Sequence, residues 1–277
     1  MTEQPKGFDW SGAHGEAWRA NLRPMEAMLS AVNDPLIDAL DLDRPMRVAD
    51  IGCGGGGLTS ALADRAPIGS TIHGTDISPA LIEHAQSLDK PKDRTLSFEI
   101  ADMQTATTAE PFDRLTSRFG VMFFSDPALA FANIVRWLSP GGKLVFAVWG
   151  PPDSNPWMTL VRDTVSAFIE TPRPDPEGPG PFRYADPTQL VQLLGEAGLD
   201  QIDVQQWQGS LKVGGGLSAG DAAAFALRAF SIAKPLIEEP ASVSERALDA
   251  LATAFSTHLT DGAVDMPACV HLVSGKL

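Results

Sequence analysis

Val48-Ala49-Asp50-Ile51-Gly52-Cys53-Gly54-Gly55-Gly56-Gly57-Leu58 is an apolar run that enters five glycines within six positions and resumes as an amphipathic stretch. A strand passing through such a loop into a helix lets the backbone approach a ligand closely, and the helix start offers free N–H groups and a positive dipole to an anion. A pyrophosphate or a carboxylate fits equally. Gly52, Gly54 and Gly57 satisfy the pattern G-x-G-x-x-G, while Asp50, Gly52, Gly54 and Gly56 satisfy D-x-G-x-G-x-G, so the loop alone does not choose its ligand.

Outward from this loop, apolar runs at 46–51, 71–76, 96–101, 115–121 and 143–149 alternate with stretches at 58–65, 79–87 and 127–138 whose apolar residues recur every three or four positions. That rhythm is the signature of βαβ units and predicts an α/β fold around a parallel sheet. Ser78-Pro79 and Asp126-Pro127 read as N-caps followed by proline at the first helical position, and Pro140-Gly141-Gly142 breaks the chain before the fifth strand. After Gly150 the rhythm changes. A helix at 158–169 precedes 171–187, whose six prolines predict a long surface loop; a helix reaching Leu199, a strand at 201–211, a Gly214-Gly215-Gly216 hinge, a mainly helical span 219–258 and a strand at 268–276 follow.

Two acidic positions complete the pattern. Asp76 closes the second strand 24 residues after Gly52, where a carboxylate can accept hydrogen bonds from two ribose hydroxyls. Asp102-Met103 follows the third strand and falls beside Asp76 on the carboxyl edge of the sheet; an Asp there can accept an adenine amino proton while an apolar neighbour covers the ring.

Composition narrows the partners. The 277 residues carry 44% hydrophobic and 20% charged side chains, as a globular protein does, and no apolar run is long enough to span a bilayer. A net charge of −14, acidic on both sides of Gly150, disfavours nucleic acid and anionic membrane surfaces. The polar start Met1 to Gly7 lacks a signal-peptide pattern, and the two cysteines, Cys53 and Cys269, form no Cys-x-x-Cys pair, so a cytoplasmic protein without redox or zinc chemistry is expected.

The motif Asp50-x-Gly52-x-Gly54-x-Gly56, Asp76, Asp102-Met103 and Leu138-Ser139-Pro140-Gly141-Gly142-Lys143-Leu144 together resemble the class I S-adenosylmethionine-dependent methyltransferases. Ser117-Arg118-Phe119-Gly120 and the segment 138–149 are similar to the branch containing the ubiquinone and menaquinone biosynthesis enzymes, and Trp10-x-Gly12-x-x-Gly15-x-x-Trp18 resembles an entry segment of related bacterial sequences. The resemblance implies a Rossmann-like, seven-stranded, mostly parallel sheet with an antiparallel last strand, helices on both faces and helical lid insertions. It divides the chain into an N-terminal helical cap at 1–45 and a methyltransferase domain at 46–277 with insertions at about 151–187 and 214–266. It also implies S-adenosylmethionine as cofactor: Gly52 and Gly54 at the methionine end with Asp50 behind them, Asp76 on the ribose, Ile77 and Met103 around adenine, Asp102 on its amino group, and the backbone of Arg118 reaching the methionine amino group.

Methyl transfer is an in-line displacement and needs positioning and exclusion of water more than a covalent residue. Aromatic faces such as Trp18, Phe123 or Trp149 suit a sulfonium cation. A neutral acceptor also needs a base, and among five histidines His14, His258 and His271 lie in segments expected over the pocket, with His14 the chosen candidate and His73 and His84 read as structural. Arg162, Arg173, Arg183, Tyr184 and Arg228 stand out in the insertions as polar residues for a substrate group. The expected substrate is a small, partly apolar metabolite, with oxygen ahead of carbon or nitrogen, and the expected state is a monomer or homodimer. Two other readings remain: an NAD(P)-dependent oxidoreductase, against which the sole tyrosine, Tyr184, has no lysine four residues on, and a non-catalytic cofactor-binding protein of this fold.

Overall fold

A computed structural model describes residues 8–171, 175 and 178–277; the polar start at 1–7 and Arg173 lie outside them. Three short helices, α1 (Ala13–Ala20), α2 (Leu22–Leu29) and α3 (Asn33–Asp38), precede β1 (Arg47–Ile51). Then come α4 (Gly57–Arg65), β2 (Thr71–Asp76), α5 (Pro79–Gln86), β3 (Thr95–Ile100), β4 (Phe112–Arg118), α6 (Pro127–Val135) and β5 (Leu138–Trp149). The remainder is α7 (Pro156–Ser166), α8 (Thr188–Glu196), β6 (Asp200–Lys212), α9 (Ala219–Ala229), α10 (Ala241–Ser256), β7 (Leu259–Thr260) and β8 (Ala263–Lys276).

The sheet runs β3-β2-β1-β4-β5-β8-β6, with the short β7 paired to β8 off this path. Strands β1 to β5 pair in parallel, and β8 is antiparallel to both β5 and β6, as the expected Rossmann-like arrangement requires. Strand order reverses between β1 and β4. Because crossovers between parallel strands are right-handed, this reversal puts α4 and α5 on one face and α6 on the other, and the loops after β1 and β4 part to leave a crevice. The central strands are deeply buried: Val48, Ala49, Leu115 and Val145 are fully shielded, which is why these segments read as continuous apolar runs instead of alternating ones.

The second half departs from the sequence expectation in five places. The strand expected at 143–149 begins at Leu138, which pairs with Phe112; Ser139 to Gly142 bulge out before pairing resumes at Arg114 and Lys143. Gly141 adopts φ +75 there, and the bulge is held by Gly141 N–H to Leu277 O and Leu277 N–H to Gly142 O. The last strand starts earlier than 268 because Asp261-Gly262, both at positive φ, forms the tight turn joining β7 to β8. The helical span 219–258 is divided by a 3-10 segment, Ser231–Glu238, since Pro235 cannot continue an α-helix. The proline-rich stretch is not all surface, for Tyr184 is completely buried.

The fifth departure concerns the three glycines at 214–216. They form a packed turn: a Cβ on Gly215 would lie 2.4 Å from Ala27 Cβ of α2, and one on Gly214 2.4 Å from Leu217 Cδ1. Close backbone approach, not hinging, accounts for them in this fold. The two helix starts also differ from each other. Asp126 caps α6 by accepting from Leu129 N–H at 2.9 Å, whereas Ser78 makes no cap bond on α5, because Gly15 of α1 packs directly against its hydroxyl.

Gly215 and Gly216 both hold positive φ, but a Cβ on Gly215 would clash with Ala27 Cβ at 2.4 Å, whereas one on Gly216 would meet Ala263 Cβ at an ordinary 3.9 Å. Gly215→Ala should therefore cost ~1–3 kcal/mol more than Gly216→Ala, the range typical of overpacking. Urea unfolding of both variants measures the difference. Equal costs would restore the hinge.

Candidate functional site

The loop after β1 turns through Gly52 at φ +66, Gly54 at +55 and Gly56 at +86, conformations that glycine alone adopts freely. It meets the loop after β4 backbone to backbone: a Cβ on Gly52 would stand 3.0 Å from Gly120 Cα, and one on Gly120 3.1 Å from Gly52 Cα. Next to that crossing Phe119 is held at φ +68, a strained conformation for a bulky side chain, with its N–H bound to Ala147 O. The strain places the Phe119 ring flat on Trp149, centroids 3.9 Å apart and planes 7° apart.

Asp76 sits at the end of β2 and bridges two turns. Its Oδ2 accepts from Gly54 N–H and its Oδ1 from Ser78 N–H, both at 2.8 Å. Burial raises its pKa, and these backbone N–H bonds act in the opposite direction. Asp102 accepts from Gln104 N–H at 2.9 Å, and neighbouring Met103 is buried with its sulfur 3.7 Å from Thr75 Oγ1. Ile77 stands 38% exposed beside them, open to whatever fills the crevice.

Asp50 lies beneath the loop, 1% exposed. Thr59 Oγ1 donates to its Oδ2 at 2.7 Å, while Oδ1 has no partner among the described residues. Burial pushes its carboxyl up to about 7, against the lowering effect of the Thr59 bond and of the nearby Arg118 cation. Arg118 ends β4, and its side chain is spoken for. It pairs with Glu26 of α2 and donates to Asn33 Oδ1 at 2.6 Å, an ion pair largely shielded from water. Glu26 escaped the sequence reading because nothing local marks it; only the packing of α2 against the sheet edge brings it there.

All nine residues chosen from sequence line one cavity of about 920 Å³ at the carboxyl ends of β1, β2 and β4: His14, Asp50, Gly52, Gly54, Asp76, Ile77, Asp102, Met103 and Arg118. Away from the glycine loop the lining turns aromatic. Phe123 meets the rings of Phe8 and Trp10 edge-on, each at 5.0 Å, and His14 joins them 4.9 Å from Phe8. Burial lowers the His14 pKa, Lys234 lowers it further and Asp9 opposes them, and its Nδ1 is buried with no partner among the described residues. The other histidines are placed elsewhere. His271 lies within β8 with Nε2 3.0 Å from Ala185 O, His258 follows α10, and His73 contacts Ser97 Oγ at 2.8 Å; none of them lines the cavity. Arg162 and Arg183 line it, whereas Tyr184 and Arg228 do not.

The family described as a methyltransferase domain matches residues 49–146. The chain is 35% identical over 143 residues to trans-aconitate 2-methyltransferase of Streptomyces coelicolor, covering 51% of this chain and 45% of that protein. It is 33% identical over 117 residues to malonyl-[acyl-carrier protein] O-methyltransferase of Acetivibrio thermocellus, covering 42% and 40%. It thus spans less than half the length of these curated relatives. A solved structure of a putative methyltransferase from an antibiotic biosynthesis pathway of Anabaena variabilis superposes with a TM-score of 0.57 at 16% identity, over 91% of this chain and 100% of that one, a likeness of fold. Among the described residues no helix is long and apolar enough to cross a membrane, and no cluster of three metal-ligating side chains occurs.

The raised Asp50 pKa sets a pH dependence with a definite sign. A carboxyl that binds its proton more tightly in the folded protein than in the unfolded chain contributes stability that is complete below its unfolded value, 3.8, and is lost as the pH rises towards about 7. Asp50→Asn keeps an acceptor for Thr59 and removes the titration. Its stability relative to the parent should therefore improve between pH 4 and pH 7 and stay level above, as read by urea unfolding at several pH values; a pH-independent difference would show that Asp50 ionises normally.

Proposed function

We propose that this protein is an S-adenosylmethionine-dependent methyltransferase acting on a small, partly apolar metabolite, with oxygen as the acceptor atom. The observation that carries the reading is the Asp76 carboxylate, anchored to the glycine loop through Gly54 N–H and sharing one cavity with Asp102, Met103 and a ring of aromatic side chains. The donor set suits that cofactor. The bare backbone at Gly52 and Gly54 admits its amino-acid end, the carboxylate of Asp76 accepts from ribose hydroxyls, Asp102 accepts from the adenine amino group, and Ile77 and Met103 flank the base. Asp50, with an unpartnered buried oxygen and Arg118 nearby, fixes the floor of the loop. The methyltransferase-domain match over residues 49–146 and relatives named as methyltransferases support the reading, and the O-methyltransferase among them supports an oxygen acceptor.

The bound cofactor supplies a methyl group activated on a sulfonium. The chain's part is to orient, to dry and to remove a proton. Trp18, Phe123 and Trp149 offer aromatic surface to the cavity, which suits a positive sulfur by ~0.5–2 kcal/mol for a well-placed ring. The segment containing Phe8 and Trp10 and the 3-10 segment Ser231–Glu238 both border the cavity, and as a lid they exclude water from it. His14, whose imidazole lines the cavity and whose pKa burial lowers, would take the proton from a hydroxyl acceptor.

The oxidoreductase reading loses its one phenol here, since Tyr184 is buried away from the cavity with its pKa pushed up to about 12 by burial. Calorimetry decides between the two. S-adenosylhomocysteine should bind and NAD should not, and Asp76→Ala should weaken S-adenosylhomocysteine by ~2–4 kcal/mol, because charge-assisted bonds to two hydroxyls are lost. Binding of NAD alone, or an unchanged affinity in Asp76→Ala, overturns the assignment. His14→Gln should slow methyl transfer from labelled cofactor to acceptors in a cell extract while leaving that affinity intact.

A further inference from the structure

Helix α1 is seated on the junction that carries Asp76. A Cβ on Gly15 would collide with Ser78 Oγ, and Arg19 Nε donates to Ala80 O at 3.0 Å, so α1 lies directly against the first turn of α5. Trp18 stands three residues after Gly15, on the same face of the helix, and this seat brings it to the glycine loop. The atom it presents there is its indole nitrogen. A Cβ on Gly54 would stand 3.9 Å from Trp18 Nε1, and no other Trp18 atom comes within 4 Å of that point. The indole is itself supported by Trp10, edge-on at 5.6 Å.

An indole N–H can only donate. That of Trp18 hydrogen-bonds no described residue and, unlike Trp10 Nε1, is not shut off from water; Trp18 and Gly54 both line the cavity. Gly54 N–H is committed to Asp76 Oδ2 at 2.8 Å, so Asp76 and Trp18 flank one residue of the loop, with Oδ2 and Nε1 no more than about 10 Å apart. A ligand that sets its ribose on Asp76 and runs a short tail along the bare backbone ends beside Trp18. Other seats for an anionic tail are already filled. The start of α4 would draw a carboxylate, but a Cβ on Gly57, the first residue of that helix, would collide with Glu26 Oε2, so an internal carboxylate holds the place. Both terminal nitrogens of Arg118 are taken as well, Nη2 by Glu26 and Nη1 by Asn33. Trp18 Nε1–H is the donor left uncommitted at the Gly54 end of the loop among the described side chains that flank it.

We propose that Trp18 is a cofactor-binding residue whose indole N–H donates to the carboxylate at the amino-acid end of S-adenosylmethionine. The assignment rests on the methyltransferase reading, and it makes the N-terminal helix part of the cofactor site.

Equilibrium binding to the full chain tests it without turnover. The probes are S-adenosylhomocysteine, S-adenosyl-3-thiopropylamine, which is the same molecule without its carboxylate, and S-adenosylmethionine. Trp18→Phe keeps a ring and deletes the donor. It should weaken S-adenosylhomocysteine about ten-fold, the size of one hydrogen bond to a charged group, and leave the thiopropylamine within about two-fold of its affinity for the parent chain. A second measurement needs no variant: the Trp18 indole N–H resonance of the parent should move downfield, as a hydrogen-bonded N–H does, with S-adenosylhomocysteine and not with the thiopropylamine. Equal weakening of both ligands in Trp18→Phe would assign the residue to packing, a loss confined to S-adenosylmethionine would assign its ring face to the sulfonium, and an unchanged affinity for S-adenosylhomocysteine would leave it no part; each overturns the proposal. If the parent chain binds none of the three probes, the cofactor reading itself falls.

Discussion

The structure turns on the crossing of Gly52 and Gly120, where the loops after β1 and β4 pass with no side chain between them. That contact is available only because the strand order reverses between those two strands, and only because neither residue carries a Cβ. Everything functional is hung from it. The crossing turns the glycine loop towards Asp76, forces Phe119 into positive φ and so lays its ring on Trp149, and leaves Asp50 walled off beneath with one oxygen unpaired.

Charged side chains of both signs line the cavity that results. At the sheet edge stand Asp50, Asp76 and Asp102, one after each of the first three strands or inside it, and they suit a ligand rich in hydroxyl and amino donors. Arg183 and Lys234 line it as well, from the later segments. The largely buried Arg118–Glu26 pair lines the same cavity and neutralises itself, so it shapes the wall without competing for a ligand charge. Breaking such a pair by removing one partner strands the other charge in a dry place, which typically costs ~3–5 kcal/mol, so α2 is tied to the sheet by electrostatics as well as by packing.

The later segments also explain how a mostly parallel sheet can be closed at one edge. Strand β8 inserts between β5 and β6 and runs against both, and Leu277 locks the bulge at Gly141 and Gly142 by two backbone bonds. Asn155 ties the start of α7 to this strand: its side chain bonds Gly150 O, Cys269 O and Cys269 N–H, which sets Trp157 in the aromatic wall. The wall of the cavity is therefore built from residues more than a hundred positions apart.

The sequence by itself determined the α/β core and the ladder of acidic positions, because those depend on local period and on fixed offsets along neighbouring parallel strands. Asp50, Asp76 and Asp102 could be placed on one edge from spacing alone, and Gly52 and Gly54 from the strand-loop-helix context. The Asp261-Gly262 turn is equally local, a two-residue hairpin signal that lies inside the insertion expected at 214–266. Only the tertiary structure decided that Glu26 meets Arg118, that Trp10, His14 and Arg183 line the same cavity, that His271 is held in the sheet away from it, and that the glycines at 214–216 pack against α2. Each of these joins elements distant in sequence, and no periodicity within a segment records which distant neighbour will desolvate it or leave it a partner.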